Sequence, residues 1–264
     1  MTGIHEDDPD PSRAPILTHL IELRQRLLLC LVFFSIVFCA AYYFVADIYA
    51  FLMRPLALAF DHPEQRRMIY TGLHEAFFTY LKLAFYTALF FSIPLILLQI
   101  WKFIAPGLYR HERASMLPAF LLTPFLFLLG AALAFYVIMP LAWEFFLGFE
   151  TTNPDTGVAV QLEARVSEYL GLVIQLILAF GISFELPVLL LVLARIGLVN
   201  ADTLREHRRH MIVLTFLVAA FITPPDLLSQ IALAMPVLLL YELSILIIRW
   251  TQSNPRDLAG QKAT

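Results

Sequence analysis

The stretch Leu27 to Ala46 carries no charged residue. A bilayer's hydrocarbon core of about 30 Å takes roughly 20 apolar residues wound as a helix. A chain that must satisfy every backbone polar group there has few options, and the helix is the one that a single such run supports. Comparable runs recur at 83–101, 114–143, 169–194, 211–223 and 227–248. Composition agrees with this reading. Apolar residues make up 60% of the 264 residues and charged residues 15%, against about 45–50% and about 25% in a soluble domain. The sequence predicts an all-α integral membrane protein.

The last two runs are unequal to the rest. Residues 211–223 rise only about 20 Å as a helix, and Pro224-Pro225-Asp226 separates them from the next run. A re-entrant or core-buried hairpin is one reading of this pattern; the preferred one is two short spanning helices joined by a tight turn, in a locally thinned bilayer. That makes six transmembrane helices with a short fifth/sixth pair. Orientation follows from the bases. One set of connections holds Arg13, Arg24, Arg26, Lys102, Arg110, Arg113, Arg195, Arg205, Arg208, Arg209, Arg249, Arg256 and Lys262. The other set holds Arg54, Arg66, Arg67 and Arg165. The basic side faces the cytosol, so both termini are expected inside (N-in/C-in). Prolines 94, 118, 124, 140, 187 and 236 fall inside the spans. Each removes a backbone donor and bends its helix, which predicts a concave bundle. Residues 1–15, polar and proline-broken, are expected to be a disordered cytosolic leader, 16–250 the transmembrane domain, and 251–264 a short cytosolic tail.

Little here supports catalysis. His111-Glu112-Arg113 lacks the second histidine of a zinc-protease helix, and neither a nucleophile elbow nor a phosphate-binding loop occurs. His207 and His210, beside Arg208 and Arg209, read as a solvated basic loop. Cys30 and Cys39 lie nine residues apart, about 180° around a helix, so they do not pair. No enzyme activity, cofactor, metal or nucleic-acid partner is expected.

Charged residues near or within the spans are the candidates for function. Glu185 sits in FGISFELPVLLLV, where a carboxylate costs a few kcal/mol unless it meets a partner, is protonated or lines a wet cavity. Apolar residues at 16, 17, 20, 21, 27 and 28 form one stripe, which predicts an amphipathic helix in the interface ahead of the first span. Glu22 and Arg26 lie on it at i,i+4, the spacing of an ordinary surface ion pair. Glu112 follows in a connection rich in bases and aromatics.

Four segments, HLIELRQR at 19–26, WKFIAPGLYRHER at 101–113, FELP at 184–187 and TPPDLLSQ at 223–230, together resemble the TatC family of twin-arginine translocase receptors. The resemblance runs from about residue 15 to residue 250. It implies a receptor and core subunit that binds the paired arginines of signal peptides on folded cargo. With single-span TatA- and TatB-type subunits, other copies of itself and the surrounding lipid, it would move that cargo across the cell inner membrane, driven by the proton-motive force. Glu22 and Glu112 match the family's signal-recognition carboxylates; Arg24, Phe103 and His111 match positions in that face, and Pro55 the outer cap. Glu185 matches the intramembrane glutamate, Asp226 the outer-turn acid and Gln230 a polar residue of the sixth helix.

The chemistry fits the resemblance, because a carboxylate accepts a guanidinium fork on two oxygens. Arg24, Arg110 and Arg113 are expected to position the two carboxylates. Glu185 is expected to face the concave groove and to take a polar group from a docking helix, sharing a patch with Gln175 and Gln230. A hydrogen-bonded core carboxyl and a proton relay are its alternatives. The segment 71–77 matches the family only loosely, so Glu75 receives no role. A small-solute or ion secondary transporter is the competing function; no internal repeat supports it.

Overall fold

A computed structural model describes residues 13–60, 67–104, 110–152, 159–160, 162–223 and 227–252. Helix dominates. α1 (Arg13–Tyr43) is followed by α2 (Val45–Ala59), α3 (Glu75–Ile104) and α4 (Arg110–Leu133). A π-helical segment, Ala134–Ile138, leads into α5 (Met139–Leu147); α6 (Val166–Ser183) and α7 (Leu186–Arg195) come next. The chain closes with α8 (Ala201–Glu206), α9 (Arg208–Ile222) and α10 (Leu227–Gln252). A two-stranded antiparallel ribbon, β1 (Thr151–Thr152) with β2 (Ala159–Val160), interrupts the all-helical pattern in the loop before α6.

Among the described residues, five stretches are long and apolar enough to cross a membrane: His19–Tyr43, Glu75–Phe103, Leu121–Leu147, Val166–Arg195 and Ser229–Thr251. The chain is therefore a multi-pass membrane protein. α9 has 15 residues, about 22 Å of rise. α10, expected to be short like α9, has 26 residues. Among the described residues, the interfacial helix expected ahead of the first span is not set apart from it. α1 runs unbroken for 31 residues from Arg13, because no proline or glycine lies between Ile16 and Tyr43 to end it. Its start also lies inside the leader expected to reach residue 15.

The prolines act in two ways. α2, α3, α4 and α10 continue through Pro55, Pro94, Pro118, Pro124 and Pro236. At Pro140 and Pro187 the helix reorganises. The π segment immediately precedes Pro140, with the Met139 amide donating to the Ala134 carbonyl. The long span around Glu185 breaks at Phe184–Glu185, and Pro187 falls in the first turn of the new helix α7, where its missing N–H is no loss.

α6 is the centre of the main core. Val173, Leu176 and Phe180 are fully or nearly fully buried, with Leu56 of α2, Leu83 of α3, Met139 of α5 and Leu233 of α10 around them. The Tyr169 hydroxyl donates to the Leu52 carbonyl at 2.8 Å, fastening α6 to α2. Pro55 is buried beside this tie. A second cluster joins α7, α8 and α10 through Leu190, Leu204, Tyr241 and Ile245. α1 stands at the edge: it packs mainly on α3 and exposes Leu27, Leu31 and Ile36, the lipid-facing pattern of a helix with one main protein neighbour. Cys30 and Cys39 on α1 are both free thiols.

α4 and α6 meet unusually closely. Gly130 of α4 faces the Phe180 backbone, and Gly181 of α6 faces the Phe127 ring. Each glycine opens space for the other helix, the close approach that small residues permit between membrane helices.

Candidate functional site

The first polar site lies where α1 begins and α3 ends. Glu22 is fixed there by Arg26, one helical turn along α1. Arg26 donates Nε at 3.1 Å and Nη2 at 2.5 Å, both to Oε1 of Glu22. The same guanidinium reaches across to α3, with Nη1 donating to Oε1 of Gln99 at 3.0 Å and Nη2 to the Lys102 carbonyl at 3.1 Å. This is more than the surface pair expected at that spacing, because it clamps two helices together. The other carboxylate oxygen, Oε2, lies 3.7 Å from Nδ1 of His19. His19 stacks on Phe103 of α3, with ring centroids 4.0 Å apart and planes 12° from parallel.

The structure thus brings Glu22 and Phe103 together through His19. Arg24 is exposed, and the base on Glu22 is Arg26 instead. Two residues along a helix is about 200° of rotation, which places Arg24 on another face. His111, Glu112, Arg110 and Arg113 have their backbones in the first turn of α4, and their side chains lie outside the described residues. Asp226, with Pro224 and Pro225, is outside them too.

Glu185 forms a second site. It stands at the break between α6 and α7 and is 9% exposed. Thr123 of α4, also buried, offers its hydroxyl to the carboxyl. Oε1 of Glu185 has no hydrogen-bond partner among the described residues. Among the described residues no hydrogen bond joins Glu185 to Gln175 or Gln230. Gln175 lies ten residues back on α6, about 15 Å away along the helix axis, and Gln230 donates to the Phe216 carbonyl at 2.9 Å, tying α10 to α9.

A third polar cluster, at the opposite end of α3 from Glu22, centres on Glu75, to which the sequence assigned no role. Its Oε2 accepts from the Thr71 amide at 2.7 Å, the Thr71 hydroxyl at 3.0 Å and the Gly72 amide at 3.2 Å. Its Oε1 accepts from the Ser167 hydroxyl of α6 at 2.5 Å. Residues 69 and 165 form a parallel bridge beside it, the Val166 amide donating to the Ile69 carbonyl. Arg165 donates to Thr71 and, at 2.9 Å, to Glu168. The nearby Tyr70 phenol, desolvated and set against Tyr80 and Tyr49, is pushed up to about 12 and stays neutral at physiological pH. One carboxylate therefore closes the turn before α3 and pins it to the start of α6. The signal was an acid in the first turn of an apolar run, preceded by Thr-Gly. Glu75→Ala is expected to speed hydrogen exchange at Thr71 and Gly72 by about tenfold or more while leaving mid-α6 amides unchanged. Unchanged exchange at the turn would refute this role.

A clamped carboxylate at one end and a buried, part-satisfied carboxyl within mark this multi-pass helical bundle as a membrane protein with polar sites inside an apolar frame. A profile of the TatC family, the Sec-independent protein translocase protein, matches residues 18–236. The chain belongs to the TatC family. It is 49% identical over 240 residues to the Sec-independent protein translocase protein TatC of Rickettsia prowazekii (strain Madrid E), covering 91% of this chain and 94% of that one. Identity to TatC of Magnetococcus marinus is 46% over 251 residues, or 95% and 89% of the two chains. TatC of Escherichia coli (strain K12) is 39% identical over 243 residues, or 92% and 91%. A crystal structure of the twin-arginine translocase receptor TatC superposes with a TM-score of 0.76 at 34% identity, over 89% of this chain and 99% of that one. The chain is a protein translocase component, with translocation of protein as its function.

Proposed function

We propose that this chain is the signal-peptide receptor and core subunit of a twin-arginine translocase in the cell inner membrane. It takes folded cargo through the paired arginines of the signal peptide and works with TatA- and TatB-type single-span subunits and further copies of itself, driven by the proton-motive force. Residues 16–250 form the working domain, with 1–15 as leader and 251–264 as tail. α9 serves as a short fifth span and α10 as the sixth, so both termini lie in the cytosol, in keeping with the arginine bias. The proline-bent helices then present a concave face to the bilayer. Glu22, Arg24, Phe103, His111 and Glu112 make up the signal-binding face. Glu185, with Gln230 on the neighbouring helix pair, receives a partner helix within the membrane, while Pro55 and Asp226 shape the outer cap.

The observation that carries this reading is the state of Glu22. It is held by a guanidinium on one oxygen, while the other faces a stacked aromatic pair. A carboxylate so placed is suited to a second guanidinium. Its binding is water-exposed and reversible, as a receptor that must release its cargo requires. The test is photo-crosslinking of a twin-arginine signal peptide in membranes, comparing wild type with Glu22→Ala and Glu112→Ala. Both variants are expected to insert normally and to lose the crosslink by tenfold or more, about the factor of one charge-assisted hydrogen bond. An undiminished crosslink would place recognition elsewhere.

A further inference from the structure

Taking Glu22 as a signal-binding carboxylate, we propose that Arg26 determines the preference for arginine over lysine in the signal. It does so by neutralising Glu22 and leaving only Oε2, beside the His19–Phe103 stack, for the guest.

A guanidinium has five N–H donors, and Arg26 uses four of them: two on Oε1 of Glu22, one on Gln99 and one on the Lys102 carbonyl. Such a group is anchored on both helices and does not swing out like a free surface arginine. With two donors on Oε1, that oxygen is filled. Glu22 is therefore a paired carboxylate, and a second cation meets little net charge there. A lysine ammonium attracts mainly as a point charge, so it gains little from this pair. An arginine guanidinium gains in two further ways that do not depend on net charge: a directional hydrogen bond to Oε2, which Arg26 does not reach, and stacking of its planar face on a ring. The ring is present. His19 stands 3.7 Å from Oε2, more than half exposed, and is backed by Phe103 at 4.0 Å. Without Arg26, Glu22 becomes a bare carboxylate that is free to rotate and attracts either cation.

The experiment measures binding of a twin-arginine and a twin-lysine signal peptide to the full-length protein in nanodiscs. Arg26→Gln is expected to lower the arginine-to-lysine affinity ratio by about tenfold or more, chiefly by raising lysine binding. Arg26→Lys keeps the neutralising charge and is expected to retain most of the preference. His19→Ala leaves the Arg26 tie between α1 and α3 in place, while removing the ring stacked on Phe103, and is expected to lower the same ratio by weakening arginine binding. An unchanged ratio in Arg26→Gln, or an equal fall for both peptides as a purely structural tie would give, overturns the proposal. Glu22→Gln separates the two levels. If it leaves twin-arginine binding intact, the receptor reading of Glu22 fails. If it abolishes binding while Arg26→Gln and His19→Ala leave the ratio constant, only the role of Arg26 fails.

Discussion

Gly130→Ala is expected to destabilise the purified protein by about 1–3 kcal/mol, the cost of forcing a methyl group into a filled helix contact. The same change at Gly171 is expected to stabilise it by about 0.5–1 kcal/mol through helix propensity alone. The two glycines lie on helices that pack together, yet their surroundings differ. A Cβ on Gly130 would sit 2.5 Å from the Phe180 carbonyl oxygen and 2.9 Å from its carbon. Those are backbone atoms of α6, so the whole helix must move. Relief in that direction is blocked, because Phe180 is fully buried. A Cβ on Gly171 would meet nothing within 4 Å. Thermal unfolding of both variants in one detergent checks the pair. Gly130→Ala melting with or above wild type would show that α4 and α6 are not packed as tightly as described.

Gly181 extends the same logic with a softer obstacle. Its Cβ would press on the Phe127 ring at 2.7 Å, and that ring is itself fully buried. An isolated glycine inside an apolar helical run is a visible signal, and Gly130 and Gly181 both give it. What the sequence does not show is which helix each one faces. That depends on how the spans are arranged around α6, a relation between segments fifty residues apart.

The positions of the main spans are legible because uncharged length is a local property. Glu22, Phe103 and Glu185 are legible too, the first two through motif and the last because a lone carboxyl in hydrocarbon is conspicuous. The partners of these residues are another matter. Arg26 reads as an i,i+4 surface base, since Gln99 and Lys102 come near it only once α1 lies on α3. Thr123 gives no sign that it meets Glu185 across the α4–α7 contact. Glu75 resembles a routine first-turn acid until Ser167 arrives from α6. The break at Phe184–Glu185 is half legible. Pro187 announces a disturbance, but whether a helix continues through its proline, as α3 does at Pro94, or restarts, as α7 does, is decided by packing.

Glu185→Leu is expected to raise stability and impair assembly together. Burying a polar oxygen without a partner costs about 1–3 kcal/mol, and among the described residues of a single copy Oε1 of Glu185 is in that condition. Leucine removes the cost and fills similar space between α6, α7 and α4, so the isolated protein should melt at a higher temperature. If that oxygen is the acceptor for a polar group on a docking helix, the same substitution should cut co-purification with the proposed single-span subunits severalfold. The signal-peptide crosslink at Glu22 should survive, since the two sites lie on different helices. Glu185→Gln keeps an acceptor oxygen and is expected to fall between wild type and leucine in assembly. A leucine variant that is more stable and assembles normally would make Glu185 a tolerated core carboxyl with no docking role. One that assembles but loses the signal crosslink would move Glu185 into the recognition pathway instead. Higher stability with weaker assembly is the outcome expected of a residue kept for its partner at the expense of its own fold.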